Sequence, residues 1–158
     1  MSLEKVREYF KRFGMADRII EFSESSATVH DAAKAAGCSE GEIAKSLSFT
    51  VAETPILIIA AGDVKIDNAK YRAQFFTKAK MLPFESVEEI IGHAVGGVCP
   101  FAVNDGVEVY LDESLKRFDM VYPACGSSNS AIKLTIPELE ETSSFKKWVD
   151  VCKKIETV

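Results

Sequence analysis

Lys45-Ser46-Leu47-Ser48-Phe49-Thr50-Val51, followed after a short gap by Pro55-Ile56-Leu57-Ile58-Ile59-Ala60-Ala61, is the stretch whose reading decides the fold. From Ser46 the first segment alternates polar and apolar residues, the period of a strand with one buried face. The second is apolar without a break, as in a central strand covered on both sides. Lys45 leaves two readings open. If the strand begins there, a lysine heads the row Lys45, Leu47, Phe49, Val51 and faces a pocket, where an ammonium can hold a phosphate or a carbonyl. If a preceding helix runs to Lys45, the side chain reaches into water and complements the helix dipole.

Upstream, Leu3, Val6, Phe10 and Phe13 mark one face of a first helix that Gly14 can end. Arg18 to Phe22 reads as a short strand. Thr28 opens a second helix with Asp31 as its capping partner and Gly37 as its stop, and Ser39-Glu40-Gly41-Glu42 predicts a third, short helix running to about Lys45. Downstream, helices are predicted around Asn68 to Phe76 and from Ser86 to Gly92. Strands are predicted at Val107 to Leu111, Met120 to Ala124 and Ala131 to Ile136, with a helical turn over Asp112 to Phe118. Ser144 is predicted to open a terminal helix with Phe145, Trp148, Val149 and Cys152 inward. There is no repeat, linker or low-complexity tract. The expectation is a mixed α/β (α+β) fold in one domain over 1–158, a mostly antiparallel sheet or barrel flanked by helices.

With 47% apolar and 27% charged residues, the 158-residue chain has the composition of a soluble globular protein with a substantial core. No apolar run approaches the roughly 20 residues of a membrane-spanning helix, and the first residues lack the apolar core of a signal peptide. Four widely spaced cysteines, Cys38, Cys99, Cys125 and Cys152, form no C-x-x-C pair. With only His30 and His93 beside them they give no zinc spacing, so the expectation is a cytoplasmic protein with reduced thiols, no metal and no cofactor. The net charge of −5 is uneven: Lys65, Lys70, Arg72, Lys78 and Lys80 against Asp63 and Asp67 make the segment 63–80 +3, leaving −8 elsewhere. A local basic patch on an acidic body suits a limited phosphate contact rather than tracking along a duplex, although a solvated helical face has the same composition.

Two loops carry candidate chemistry. Val95-Gly96-Gly97-Val98-Cys99-Pro100-Phe101 sets two glycines and a proline between apolar flanks, a rigid path that can aim bare N–H groups at an oxygen turning negative. A tight turn between buried elements has the same signature. Ala124-Cys125-Gly126-Ser127-Ser128-Asn129-Ser130 offers hydroxyls, an amide and backbone, and reads equally as a long hairpin connection.

The order Ile43-Ala44-Lys45-Ser46-Leu47, then Gly96-Gly97-Val98-Cys99-Pro100, then Ala124-Cys125-Gly126-Ser127 resembles the YbaK family, the prolyl-tRNA synthetase-associated or INS-type editing domain, from about Thr28 to Leu139. The resemblance implies a trans-acting deacylase that hydrolyses the ester of a mischarged tRNA, typically tRNA for proline, with aminoacyl-tRNA and prolyl-tRNA synthetase as partners. On matching positions it implies that Lys45 orients the terminal nucleotide, that Gly96 donates from its backbone to the carbonyl oxygen or a water, and that Gly126 lies in the loop shaping the amino-acid pocket. Around them Thr28, Ser46, Gly97 and Pro100, with Cys125, Ser127 and Asn129 of the late loop, complete the candidate substrate-binding set. Lys65, Lys70, Arg72 and Lys78 are the candidate acceptor-stem contact. Cys125 stands where one branch of the family carries serine, and Ser127-Ser128-Asn129 where another carries histidine.

The residues alone show no G-x-S-x-G elbow and no cysteine–histidine spacing. An aminoacyl ester is already activated, so orientation and one backbone donor, contributing on the order of 3 kcal/mol, suit the reaction. A non-catalytic module that binds tRNA or a synthetase through the same pocket, and a thiol hydrolase using Cys99 or Cys125, are the competing readings.

Overall fold

The computed structural model describes residues 2–155. Helix α1 (Ser2–Lys11) buries Val6 and Phe10, and the Phe10 ring packs edge-on against Phe101 at 4.5 Å. After strand β1 (Ile19–Glu21), helix α2 (Val29–Ala36) is capped as its sequence predicts. The Asp31 N–H donates to Thr28 Oγ1 at 3.1 Å, and Gly37 closes the helix at φ +72°. The third helix expected up to Lys45 is a single 3-10 turn over Glu40–Glu42, and β2 (Ile43–Val51) begins at once. Lys45 therefore lies within a strand. The Ser39/Glu42 capping box satisfies the turn, but the β-branched Ile43 starts a ladder with better partners than another helical turn offers.

β2 forms a hairpin with β3 (Thr54–Ala61), in register from Ala44 opposite Ala61 to Val51 opposite Thr54. Helix α3 (Asn68–Phe75) follows β4 (Val64–Ile66), and α4 (Val87–Ile91) precedes β5 (Glu108–Asp112) and β6 (Met120–Pro123). The chain ends with β7 (Ser130–Ile132), β8 (Leu134–Thr135), α5 (Ile136–Ser143), β9 (Lys147–Val149) and β10 (Cys152–Lys154). The main sheet has the order β8-β6-β2-β3-β5-β9, while β1–β7 and β4–β10 are separate antiparallel ribbons. Across the described ladders antiparallel pairing leads, four to three, whereas within the six-stranded sheet β2–β6, β3–β5 and β5–β9 are parallel. The sheet is open, since its end strands do not pair with each other. β3 is central and its residues Ile56 to Ala61 are all buried, which accounts for their unbroken apolar run.

The C-terminal helix expected from Ser144 does not form. Its residues make β9 and β10, and the helix of this region is the earlier α5. That helix has its own complete start signal: Thr135 Oγ1 accepts from the Glu138 N–H, Glu138 accepts from the Thr135 N–H, and Pro137 sits in the first turn. Ser144 ends it in the left-handed region at φ +52°. Beyond it, Trp148 and Val149 pair with the free edge of β5, and the buried Asp112 carboxylate takes the Val151 N–H at 2.9 Å. Among the described residues no helix is long and apolar enough to cross a membrane.

Candidate active site

β2 has an interrupted outer edge. At one end β6 pairs with Ile43 and Ala44 alone. At the other, the segment 80–82 takes the edge: the Leu82 N–H donates to Ser48 O at 3.2 Å and the Thr50 N–H to Lys80 O at 2.9 Å. Between them, among the described residues, no chain pairs with Lys45, Ser46 or Leu47 on that side. Main-chain polar groups in a strand alternate between its two edges, so the N–H and C=O of Ser46 point the same way as those of Ser48 and Thr50, into the gap.

A cavity of about 430 Å³ opens at this gap. Its walls are mainly apolar, with Val29 and Ala32 from α2, Leu82, Val87, Val98 and Ala131. Thr28, Ser46, Ser48 and Ser130 supply hydroxyls, and the Ser46 Oγ is buried without a hydrogen-bond partner. An unmade hydrogen bond of this kind favours a ligand that completes it. Lys45 and Gly96, far apart in the chain, both line the space. No histidine, cysteine or acidic residue does so among the described residues.

The two loops are pressed together beside the cavity. A Cβ on Gly97 would lie 2.5 Å from both Gly126 C and Ser127 N, so glycine is what lets the backbones touch. Gly96 has φ +97° and faces Ala27 and Ser128; its own N–H has no partner within the described chain, while that of Gly97 closes a turn onto Ala94 O at 3.0 Å. The late loop is stitched to the segment before α2. The Phe22 N–H donates to Asn129 O at 2.7 Å, the Ser26 N–H to Ser128 O at 2.6 Å, and Asn129 Nδ2 to Phe22 O at 3.1 Å. Ser127 Oγ lies 2.6 Å from Ser130 Oγ, joining the loop to the cavity wall.

Of the residues expected in the substrate-binding set, Thr28 and Ser46 line the cavity with Lys45 and Gly96. Gly97, Pro100, Cys125, Gly126, Ser127 and Asn129 do not line it. Gly97 packs on Gly126 and Ser127, and Asn129 ties the late loop to Phe22. Thr28 Oγ1 is also engaged as the α2 cap. Ser130, which the sequence places in the late loop but not in the substrate-binding set, and the apolar wall join the cavity because short strand β7 and the face of α2 reach it only through long-range packing.

The Lys45 ammonium donates to Val64 O and, at 3.3 Å, to Gly62 O. Burial lowers its pKa, with Cys152 and Asp63 acting the other way. Lys45 therefore borders the cavity as a residue, while its charge is held on the carbonyls of Gly62 and Val64 at the β3–β4 turn. Contact between the ammonium and a substrate requires it to exchange these carbonyls for the ligand.

Cysteine and histidine do meet, away from the cavity. Cys99 Sγ lies 3.5 Å from His93 Nε2, which donates to Phe101 O at 2.7 Å. Both side chains have no exposed surface. Burial pushes the Cys99 thiol up to about 12 and lowers the His93 pKa, so thiol and imidazole are both neutral at pH 7. The pair packs the core beneath the glycine loop. Cys125 is likewise buried, its thiol raised well above the ordinary value. Neither thiol lines the cavity.

The candidate acceptor-stem cations are divided. Lys70 donates to Asp150 at 3.1 Å and to Cys152 O at 3.0 Å, and Lys65 stands opposite Lys153 across the β4–β10 ribbon. Arg72 and Lys78 line a second depression with Asn68, Ala69 and Ala79, and make no ion pair with any described residue.

Comparison with known proteins gives a consistent result. The aminoacyl-tRNA editing domain family matches residues 23–142. The chain is 54% identical over 154 residues to a Bacillus subtilis (strain 168) protein described as uncharacterized protein YwhH, covering 97% of this chain and 98% of that one. Among solved structures, a candidate trans-editing enzyme for prolyl tRNA synthetase superposes with a TM-score of 0.86 at 27% identity, over 96% of this chain and 97% of that one. A structure from work on computational epitope grafting onto scaffold proteins gives the same TM-score, 0.86, at 26% identity over 98% of each chain.

Proposed function

Because this chain belongs to the aminoacyl-tRNA editing domain family, we propose that it is a cytoplasmic, trans-acting deacylase that removes a wrong amino acid from tRNA, with tRNA for proline as the charged substrate and prolyl-tRNA synthetase as a partner. One domain spanning the chain carries the activity. The observation that carries this reading is the cavity at the gap in β2, lined by Lys45, Ser46 and Gly96; among the described residues its edge has unengaged main-chain groups and its wall no nucleophile–base pair.

Such a wall suits an ester that needs orientation more than activation. The aminoacyl group enters against Val29, Ala32 and Ala131, where an uncharged side chain is at home and a charged one is desolvated without a partner. The Gly96 N–H stabilises the oxygen that becomes negative as water adds to the carbonyl carbon; a donor of this kind contributes about 3 kcal/mol. The acyl–oxygen bond then breaks, and the ribose oxygen leaves with a proton as the free hydroxyl of the tRNA. The neighbouring ribose hydroxyl positions the water, so the substrate supplies part of its own catalysis. Lys45 holds the terminal nucleotide once its ammonium leaves Gly62 O and Val64 O.

The tethering of that ammonium favours a second reading, a non-catalytic module that binds charged tRNA through the same cavity. One assay separates the two: ester loss from a panel of mischarged tRNAs, with and without the purified protein. Accelerated loss from at least one member, reduced about a hundredfold or more in Lys45→Ala while thermal unfolding stays cooperative, supports the deacylase. Tight binding of charged tRNA with no acceleration would establish the binding module, and full activity in Lys45→Ala would remove that residue from the mechanism.

A further inference from the structure

Exposed apolar side chains crowd one short stretch of chain, part of which borders the cavity. Phe76 is 87% exposed, Met81 63% and Phe84 74%, all within nine residues of chain, and Val95 adds a fourth at 46%. Met81, Phe84 and Val95 line the mouth of the cavity itself. Lys78 and Lys80 fall between Phe76 and Met81, and Arg72 lies one turn before Phe76; none of the three makes an ion pair among the described residues, and 76–84 contains no acid. Acidic residues begin at Glu85 and bound the strip on that side.

The strip is held in place by backbone. Met81 is bridged to Phe49 on β2, and both Lys80 and Leu82 bond to that strand. Phe76 is the C-cap of α3 at φ +62°, a left-handed conformation that costs about 1 kcal/mol or more for a residue with a side chain. Folding gains nothing from rings presented this way. A partner with flat apolar faces joined by negative charges does gain, and that is the chemistry of a single-stranded nucleic acid, in which bases stack on aromatic rings and phosphates meet lysine.

We propose that residues 76–84 seat the unpaired 3′ end of an RNA, with the terminal base against Phe84 and Met81 at the cavity mouth. A preceding base stacks on Phe76, and Lys78 and Lys80 take the phosphates between. The span is adequate: eight residue steps reach at most about 26 Å, enough for several nucleotides. This deepens the deacylase reading and rests on it for the identity of the RNA, since a base seated at the mouth delivers the esterified ribose into the cavity.

The test uses uncharged RNA, so its outcome does not depend on hydrolysis. Affinity is measured for an RNA hairpin with an unpaired 3′ trinucleotide and for the same hairpin with a blunt end. The wild-type protein is expected to prefer the tailed hairpin. Phe84→Ala and Phe76→Ala are each expected to lower that affinity about tenfold, Phe84→Trp to retain it, and Lys78→Ala with Lys80→Ala to flatten its dependence on salt. Ile20→Ala, also exposed but on β1, is the control and should leave affinity unchanged. Equal affinity for tailed and blunt hairpins would overturn the proposal, as would unchanged affinity in Phe84→Ala. Binding to anionic lipid vesicles that is lost in Phe84→Ala, or a dimer that dissociates in that variant, with RNA binding unaffected, would assign the strip to a membrane or to self-association instead. Failure of the wild-type protein to deacylate any tRNA, with tailed-RNA binding intact, would refute the deacylase and leave the RNA seat standing.

Discussion

Replacing Gly97 by alanine tests whether the two loops beside the cavity form one rigid unit. The new Cβ would lie 2.5 Å from Gly126 C and Ser127 N and 2.8 Å from Gly126 O, where ordinary contact begins at 3.4 Å. The loops must therefore part by about 0.9 Å, the difference between those two distances. Every atom met is backbone, so no side chain can rotate away. Retreat is restricted as well, because α1 leaves no space on the far side: a Cβ on Gly126 would itself lie 2.7 Å from Ser2 O and 3.0 Å from Val6. Overpacking of this kind costs about 1–3 kcal/mol, and the closed surroundings place Gly97→Ala in the upper half of that range. For a chain of this length the melting temperature should fall by about 4–12 °C. Gly96→Ala is the companion variant. Its Cβ finds contacts of 3.4 and 3.5 Å but must adopt φ +97°, which isolates backbone strain of about 1–2 kcal/mol from collision. Thermal unfolding and deacylation are measured on both. Gly97→Ala should be the less stable of the two, and its residual activity at low temperature should still be depressed, because Gly96 moves with its neighbour. A melting temperature within about 1 °C of wild type would refute the reasoning and mean that the loops slide freely.

The Arg18–Glu138 pair predicts an acid-sensitive contribution to stability. Arg18 donates to both carboxylate oxygens, at 2.6 and 2.9 Å, and this holds the Glu138 pKa down from 4.5 to about 2. A depressed carboxyl contributes fully above its unfolded value and loses that contribution as pH falls through the folded one, so the window lies between about 4.5 and 2. Solvent screening of partly exposed partners reduces the contribution to about 1–2 kcal/mol. The stability gap between wild type and Arg18→Ala in chemical unfolding should be present at neutral pH and close near the acid limit; a gap independent of pH would exclude the pair as its source. Thiol titration gives a third expectation. Under native conditions Cys38, half-buried, should react with a thiol reagent well before the buried Cys99, Cys125 and Cys152, which become available on unfolding. Rapid native labelling of Cys99 or Cys125, accompanied by loss of deacylation, would reopen a thiol mechanism.

Much of the fold could be read locally. The alternation after Lys45 and the apolar run to Ala61 mark the two central strands, because the side-chain period of a strand depends on nothing beyond the strand. The cap at Thr28 and the stop at Gly37 are equally local. The C-terminal segment failed for the opposite reason. Phe145, Trp148, Val149 and Cys152 have a spacing compatible with a helical face, and only the free edges of β5 and β4 decide that Trp148, Val149 and Cys152 pair as strands. The Thr135–Glu138 capping box that starts α5 overlaps the end of the apolar run from Ala131 to Ile136, so a strand and a helix start compete for the same residues.

For the site, the sequence by itself determined which residue types were at hand: a lysine beside a strand, a loop needing glycine, and a late polar loop in fixed order. That order suffices to mark the family, because the motif residues are chemically constrained wherever they lie in space. Only the tertiary structure decided that Lys45, Ser46 and Gly96 share one cavity, that Gly97 and Gly126 serve packing beside it, and that the Lys45 ammonium is held by Gly62 and Val64. It also decided that Phe76, Met81 and Phe84, which composition would assign to a core, stand in water. The reason is physical: a cavity arises where β6 and the segment 80–82 leave β2 uncovered, and the length of a ladder is settled by partners distant in the chain.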